Sequence, residues 1–213
     1  MEGMRYLVGE KLPVLAARLG LPAVAIDIDG VLNPMDDGLE GFEVHHLHVP
    51  KEDLPKDSPF LLGHGHRDLD LPVRASLTHG RWLTALRERA DIYWSTTWET
   101  AANPHYAPLI GLEPLATIPH SLWMPTFSDV KHGESGRWKR YALNDLFGER
   151  ALVWIDDCAI EHDLEQWRGE MPTLVIRPDE EVGLTAEQME AVDQFVDAQL
   201  LKLKQAELGQ MER

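Results

Sequence analysis

Five short apolar runs constrain the fold of this chain more than any other feature. The first is apolar on both faces, as expected for a strand in the middle of a parallel sheet. Helical patterns separate the runs, including THGRWLTALRERA at 78–90 and RWKRYALNDLF at 137–147. Strands that alternate with helices predict an α/β fold with a mainly parallel sheet flanked by helices. The five runs lie at 23–28, 91–98, 115–119, 151–157 and 173–178.

The length of 213 residues is enough for one domain and does not require two, so we expect a single domain over 1–213. Residues 11–19 predict a short helix before the first strand. The last segment opens with a capping box, Thr185 to Gln188, and continues with apolar residues at helical spacing. We therefore expect helices before and after the strands.

The region at about 35–76 departs from this pattern. Its segments FEVHHLHV (42–49) and LDLPVRAS (69–76) flank a long polar loop and predict a β-hairpin flap after the first core strand, with no large cap. Five histidines in this flap allow three interpretations: a zinc site on His-x-His pairs, a surface that contacts substrate, or ordinary exposed side chains. They are His45, His46, His48, His64 and His66.

Charge and cysteine content limit the classes of function. Twenty Lys plus Arg against 36 Asp plus Glu give a net charge of −16. Such a surface repels nucleic acid and anionic membranes, so a phosphate-bearing substrate requires a local cation. Cys158 is the only cysteine, and no intrachain disulfide can form. Without the apolar stretch of a signal peptide or a membrane span, we expect a cytoplasmic protein with no membrane partner.

Polar side chains end three of the predicted strands. The first run ends in DID (27–29), the second in STT (95–97) and the fourth in IDD (155–157). If these strands are parallel neighbours, four carboxylates and a group of hydroxyls converge at one edge of the sheet. So many carboxylates cannot all stay ionised without a cation, and ligands that are all oxygen select a hard ion, for which Mg²⁺ is the best match.

The same residue types support phosphoryl transfer. A carboxylate can attack phosphorus and form an aspartyl-phosphate. A second carboxylate, two residues further along, can protonate the leaving oxygen and then activate water. Hydroxyls and a lysine can hold the transferring phosphoryl oxygens, while the lysine and the cation stabilise their charge.

Four motifs, in this order, resemble those of the haloacid dehalogenase-like (HAD) superfamily. They are DIDGVLNP, the hydroxyls of WSTTW, a lysine that opens a later helix, and VWIDD. The match covers roughly residues 22–157. More narrowly, WSTTWETAAN, RWK, LVWIDD and the late GLT resemble a branch of uncharacterised HAD domains, some of which are associated with RNA-repair proteins.

The resemblance implies a Rossmann-like sheet and a role for each motif residue. Asp27 would be the nucleophile and Asp29 the acid/base. Mg²⁺ would be held by the Asp27 carboxylate, the Asp29 backbone carbonyl and Asp156, with Asp157 reaching it directly or through water. Gly30 would adopt a positive φ where the chain leaves the strand.

Two of the implied roles have competing residues. The second-motif hydroxyl could come from Ser95, Thr96 or Thr97, and Thr96 is favoured because related domains often read W-A-T-x-W. The third-motif lysine is expected to be Lys139, because it opens a helix shortly before the fourth strand. Lys131 in the preceding loop is its competitor.

The sequence therefore predicts a Mg²⁺-dependent phosphatase that works through an aspartyl-phosphate. Gly30, Thr97 and Trp98 form the predicted substrate-binding set, in which Trp98 could stack on a base or sugar. The substrate would be a phosphorylated small molecule, nucleotides included, or a nucleic-acid end, and the open site is compatible with an oligomer. The alternatives are a phosphotransferase on the same site and a non-catalytic metal- or ligand-binding module.

Overall fold

The computed structural model describes residues 20–54, 67–119, 137–159 and 171–211. The predicted helix at 11–19, and with it Lys131, His64 and His66, lies outside these ranges. The strands of the described residues are, in chain order, β1 (Ala23–Ile26), β2 (Glu43–Val49), β3 (Leu69–Ala75), β4 (Asp91–Trp94), β5 (Ala116–Thr117), β6 (Leu152–Ile155) and β7 (Thr173–Ile176).

Five of these strands form one parallel sheet with the spatial order β5-β4-β1-β6-β7. The strand β1 is central, and its first residue, Ala23, aligns with Asp91 on one side and Leu152 on the other. All four residues of β1, β4 and β6 are buried, because helices cover both faces of the sheet. The predicted α/β, Rossmann-like architecture is confirmed.

Helices pack on the two faces of the sheet and create two apolar cores. The helices are α1 (Leu77–Leu86), α2 (Arg137–Phe147) and α3 (Ala186–Met211). On one face, Leu83 of α1 and Val192 of α3 join the core around Ile26. On the other face, Phe147 of α2 packs on Tyr93 with the ring centroids 4.8 Å apart. Alternate side chains of each strand therefore supply opposite cores.

Local signals account for the ends of the helices. The Ser76 hydroxyl caps α1 by accepting from the backbone N–H of Thr78 at 3.3 Å. The predicted capping box of α3 is confirmed, since Thr185 Oγ1 accepts from Gln188 N at 3.3 Å and Gln188 Oε1 accepts from Thr185 N at 3.0 Å. In the described ranges, neither α3 nor any shorter helix combines the length and apolar character that a membrane crossing requires.

The predicted hairpin is confirmed as a separate antiparallel pair, β2 with β3, in which Glu43 aligns with Ala75 and Val49 with Leu69. One face of the hairpin packs on the apolar core through Val49 and Val73. The alternation of the two segments produces this arrangement, because successive side chains of a strand point to opposite faces.

The strand β4 is shorter than predicted, since it ends at Trp94 instead of continuing to residue 98. Beyond it the chain turns, with the Glu99 N–H bonded to the Thr96 carbonyl at 3.2 Å. Short 3₁₀ and π-helical turns follow, at Glu99–Ala101, Ala102–Tyr106 and Ala107–Ile110. The hydroxyl run thus lies in the turn beyond the sheet.

Candidate active site

The sheet places the three polar strand ends side by side. The N–H of Asp27 bonds to the Ile155 carbonyl at 3.0 Å, and the N–H of Ser95 bonds to the Ile26 carbonyl at 2.8 Å. Both bonds continue the parallel register of β4, β1 and β6 by one residue. Asp27, Ser95 and Asp156 therefore occupy one row at the carboxyl edge, as the sequence predicts for parallel neighbours.

Lys139 joins the two carboxylates of this row. It lies in the first turn of α2, its side chain is only 5% exposed, and its ammonium group contacts Asp27 Oδ2. The same ammonium nitrogen lies 2.6 Å from Asp156 Oδ2. The side chain of Asp156 is fully buried, so this cation compensates charge that solvent does not reach.

Burial and charge shift the pKa values of this pair. Burial raises the pKa of Asp156 to about 6, although the adjacent Lys139 opposes the increase. Burial alone would lower the pKa of Lys139, but Asp156 and Asp27 outweigh it and raise the pKa above its usual value. Lys139 is therefore protonated at neutral pH and supplies a fixed positive charge next to Asp27.

Asp29 lies apart from this cation and is held by two neutral donors. The indole N–H of Trp98 donates to Asp29 Oδ2 at 2.8 Å, and the side-chain amide of Asn33 donates to Asp29 Oδ1 at 2.8 Å. Burial and the charge of Asp27 together raise the pKa of Asp29 to about 6, while the two hydrogen bonds and the charge of Lys139 act in the opposite direction. Such a pKa suits a group that gives and takes protons near neutral pH.

The position of Trp98 requires a correction to its predicted role. Its side chain is 1% exposed, and its ring lies against the ring of Tyr106 with centroids 6.2 Å apart. A buried ring whose N–H is bonded to Asp29 has no free face on which a base or sugar could stack. Trp98 belongs to the site through its contact with Asp29, the predicted acid/base residue.

Asn33 is a site residue that sequence reasoning missed. It is buried, and besides its bond to Asp29 its side-chain oxygen accepts from the Arg74 N–H at 2.8 Å. Its position four residues after Asp29, at the end of the tight turn after β1, was the one available signal. The Gly30 N–H bonds to the Asn33 carbonyl at 2.9 Å and closes that turn.

Gly30 has the predicted positive φ, at 71°. A Cβ at this position would lie 2.7 Å from Cγ of Asp157, so a larger residue would displace that carboxylate. The Asp157 carbonyl accepts from Nε of Arg177 at 2.7 Å, and the Cys158 thiol donates to Asp157 Oδ2 at 3.2 Å. Partial burial and the neighbouring Asp157 raise the pKa of the Cys158 thiol to about 12.

The three candidate hydroxyls differ in their surroundings. Ser95 and Thr96 are fully buried, whereas Thr97 is half-buried. The Thr96 hydroxyl accepts from the Trp98 N–H at 3.4 Å, and the Ser95 hydroxyl has no hydrogen-bond partner among the described residues. The assignment of Thr96 to the phosphoryl group stays a prediction, with Ser95 as a competitor in the row of Asp27.

Three side chains at the carboxyl edge of the sheet lie close enough together to bind one metal ion. One ligand atom each of Asp156, Asp157 and Cys158 lies within 4.8 Å of the other two. The Asp27 carboxylate lies in the same row of strand ends as Asp156, so carboxylate oxygens predominate among the side-chain donors at this edge. Oxygen donors of this kind match Mg²⁺ better than a soft metal.

The flap histidines of the described residues are bound to neighbouring acids or exposed. His48 Nδ1 lies 3.0 Å from Asp70 Oδ1, and this hydrogen bond raises the pKa of His48. His46 is exposed, and His45 is half-buried. In the described part of the chain these three do not form a group of three metal ligands. The zinc interpretation of His64 and His66 lies outside the described residues.

The structure thus brings together Asp27, Asp156 and Lys139, and it holds Asp29 beside them. No family model matches the chain, and neither a curated protein nor a solved structure matches it. Its chemistry must therefore be inferred from the residues themselves.

Proposed function

We propose that this chain is a Mg²⁺-dependent phosphatase of the HAD-like type, which transfers a phosphoryl group to Asp27 and then to water. The contact of Lys139 with both Asp27 and Asp156 carries the proposal. The ammonium group of Lys139 lies buried between two carboxylates at the carboxyl edge of a parallel sheet. Removing these charges from water costs free energy, so the strand ends differ from an ordinary solvated surface. The ammonium group provides a positive charge where phosphoryl oxygens would gather.

In the first step, a carboxylate oxygen of Asp27 attacks phosphorus, and the bond from phosphorus to the leaving oxygen breaks. Asp29 gives its proton to that oxygen, and the product alcohol departs. Lys139 stabilises the charge on the phosphoryl oxygens, because it is protonated and held beside Asp27. The buried hydroxyl of Thr96 is the proposed donor to one of these oxygens.

In the second step, Asp29 acts as a base. It takes a proton from water, whose oxygen attacks phosphorus, and the bond between Asp27 and phosphorus breaks. Inorganic phosphate leaves, Asp27 is again a carboxylate, and Asp29 is again protonated. The pKa of about 6 for Asp29 allows both roles near neutral pH.

The carboxylates of Asp27, Asp156 and Asp157 would hold the Mg²⁺ ion, together with the backbone carbonyl of Asp29. When bound, the ion neutralises charge on the substrate phosphate and on the carboxylates that surround it. Gly30 contributes by leaving space for the Asp157 carboxylate, whose Cγ lies 2.7 Å from the position of a Cβ on residue 30. Each of these groups belongs to the row of strand ends or to the turn directly after it.

Charge near the site favours a small substrate. The loop after β1 and the loop after β7 are joined by bonds from Met35 N to the Glu180 carbonyl and from Asp36 N to the Glu181 carbonyl, 2.8 and 3.3 Å long. The side chains of Asp36, Glu180 and Glu181 are exposed on these loops, and so is Asp37, which is paired with Arg74. Together with the net charge of −16, they oppose a long polyanion more than a phosphorylated metabolite or a nucleotide.

Phosphate release from 4-nitrophenyl phosphate, a panel of nucleotides, and 5′- or 3′-phosphorylated oligonucleotides tests the proposal. We expect hydrolysis of the small esters with Mg²⁺ and none with a chelator. Asp27→Asn should abolish the activity, whereas Asp70→Asn, which alters an exposed carboxylate of the hairpin, should leave it unchanged. Activity that survives the chelator or the Asp27 substitution would refute the mechanism. Binding of Mg²⁺ without turnover would favour a non-catalytic module.

A further inference from the structure

The carboxylate of Asp29, in the turn after β1, has different hydrogen-bond partners from Asp27 and Asp156 in the row of strand ends. Asp27 and Asp156 share the Lys139 cation and also accept from neutral N–H groups, among them the Trp154 indole at 3.3 Å from Asp156. Each oxygen of Asp29 accepts one hydrogen bond from a neutral side-chain N–H group. The donors come from separate parts of the chain: Asn33 from the turn after β1, and Trp98 from the turn after β4. Both bonds are 2.8 Å long, which is close to the optimum for N–H donors.

Each of the two donors is itself held in place. Asn33 accepts from the Arg74 N–H, and the carbonyl of Arg74 accepts from the Tyr106 hydroxyl at 3.0 Å. The ring of Tyr106 in turn packs against Trp98. The two donors of Asp29 are therefore linked through β3 and through Tyr106, and the orientation of the carboxylate is fixed on both sides.

The backbone next to Trp98 is strained in a way that supports this arrangement. Glu99 has a φ of 46°, and it is the one residue other than glycine with positive φ in the described ranges. A left-handed backbone costs a residue with a Cβ about 1–3 kcal/mol, and it persists only where the surroundings enforce it. The strain accompanies the turn that directs the Trp98 indole at Asp29.

We propose that Trp98 and Asn33 are positioning residues, which aim the Asp29 carboxyl so that its proton reaches the leaving oxygen of the substrate. This inference rests on the proposed phosphatase function. Each carboxylate oxygen has two lone pairs, and each N–H donor occupies one of them. The proton of the acid therefore occupies one of the remaining positions, whose directions the donors determine.

The consequence is a dependence on the leaving group. In the first step the proton passes from Asp29 to the oxygen that leaves phosphorus. A 4-nitrophenolate group leaves readily as an anion, whereas an alkoxide leaves only when it receives that proton. Loss of a positioning contact should therefore slow the cleavage of alkyl phosphates and leave the cleavage of 4-nitrophenyl phosphate nearly unchanged.

The test compares kcat/KM for glycerol 3-phosphate and for 4-nitrophenyl phosphate, since kcat/KM reports the steps up to departure of the alcohol. Trp98→Phe removes the N–H and keeps an aromatic ring. Trp82→Phe is the matched control, because the indole of Trp82 also donates to an aspartate, Asp193 at 3.2 Å, on the surface between α1 and α3. If Trp98 had only a structural role, Trp98→Phe would lower kcat/KM for both substrates by the same factor.

We expect Trp98→Phe to lower kcat/KM about 10-fold for the alkyl ester and less than about 2-fold for the aryl ester. The loss of about 10-fold is smaller than the full effect of general-acid catalysis, because Asp29 itself remains. Trp82→Phe should change kcat/KM for neither ester. Equal factors for both esters, or no loss with the alkyl ester, would overturn the inference. A parent protein that releases phosphate with Mg²⁺ from neither ester, nor from any nucleotide or oligonucleotide of the panel, would overturn the proposed function, and this inference with it.

A second comparison guards against a variant that does not fold. Asn33→Ala removes the other donor and should produce the same selective loss for the alkyl ester. In an Asp29→Asn background, neither substitution should reduce kcat/KM for the alkyl ester any further, because both act through Asp29. Additive losses in that background would show that Trp98 and Asn33 act by another route.

Discussion

Replacement of Lys139 by methionine offers the sharpest test of the site, because it removes a buried cation and retains most of the side-chain volume. The variant leaves Asp27 and Asp156 facing each other with no cation between them. Breaking a buried ion pair by removing one partner typically costs about 3–5 kcal/mol. We expect the free energy of unfolding of the variant to be lower than that of the parent by this amount in the absence of Mg²⁺.

The magnitude can be bounded from the protonation of Asp156. Burial already raises the pKa of this carboxyl to about 6, and without Lys139 it should take up a proton on folding. Protonating an aspartate whose ordinary pKa is about 3.9 costs about 4 kcal/mol at pH 7 and about 1.5 kcal/mol at pH 5. The folded variant then binds a proton that the unfolded chain releases, so its stability falls as pH rises. The deficit relative to the parent should shrink between pH 7 and pH 5.

Urea denaturation of both proteins at the two pH values, with a chelator present, measures this deficit. Lys202→Met, on the exposed part of α3, is the control and should change the free energy of unfolding by less than about 0.5 kcal/mol. Mg²⁺ at 100 times its Kd for the variant should raise the variant's own free energy of unfolding by about 2.7 kcal/mol. A deficit below about 1 kcal/mol at pH 7, or one that does not change with pH, would refute a charge-compensating role of Lys139.

Three further predictions concern other parts of the molecule. Gly30→Ala should destabilise the protein by about 1–3 kcal/mol more than Gly38→Ala in thermal melts, because both have positive φ but a Cβ at Gly38 meets nothing within 4 Å. Burial lowers the pKa of His79, so the unfolded chain takes up a proton before the folded one as the pH falls below about 6.5, and stability declines there. His79→Gln should make this decline less steep when the urea midpoint is measured against pH. Parallel pH profiles for the two proteins would contradict the prediction. Thr96→Val should lower kcat/KM about 100-fold, as the loss of an oxyanion donor does, and Ser95→Ala should lower it much less. A larger loss with Ser95→Ala than with Thr96→Val would assign the hydroxyl role to Ser95.

Local pattern was sufficient to predict much of the fold. The helix predicted at 137–147 has the bounds of α2, and the capping box of α3 forms as expected. The hairpin strands agree with their alternating segments to within one residue at each end. These features depend on residues close together in the chain, whose spacing determines which side chains share a face. The polar residues that end the strands could also be predicted to share one edge of the sheet, because the carboxyl ends of parallel strands lie at the same edge.

The contacts inside the site depended on the tertiary structure. Sequence reasoning favoured Lys139 because it opens a helix, but only the packing of α2 on the sheet brings its ammonium group to Asp27, which lies 112 positions away. The same holds for Trp98, whose aromatic ring next to the motif suggested a substrate platform. Its burial depends on Tyr106 and on a turn that ends β4 at Trp94, and neither follows from the residue type alone.

The sequence by itself determined the order of the strands and helices, and the carboxylates and hydroxyls that end the strands. Tertiary structure decided which partner each carboxylate has: a shared cation for Asp27 and Asp156, and two neutral donors for Asp29. The physical reason is that periodicity fixes the face on which a side chain lies, whereas a hydrogen bond about 3 Å long requires two distant segments to pack in one specific way.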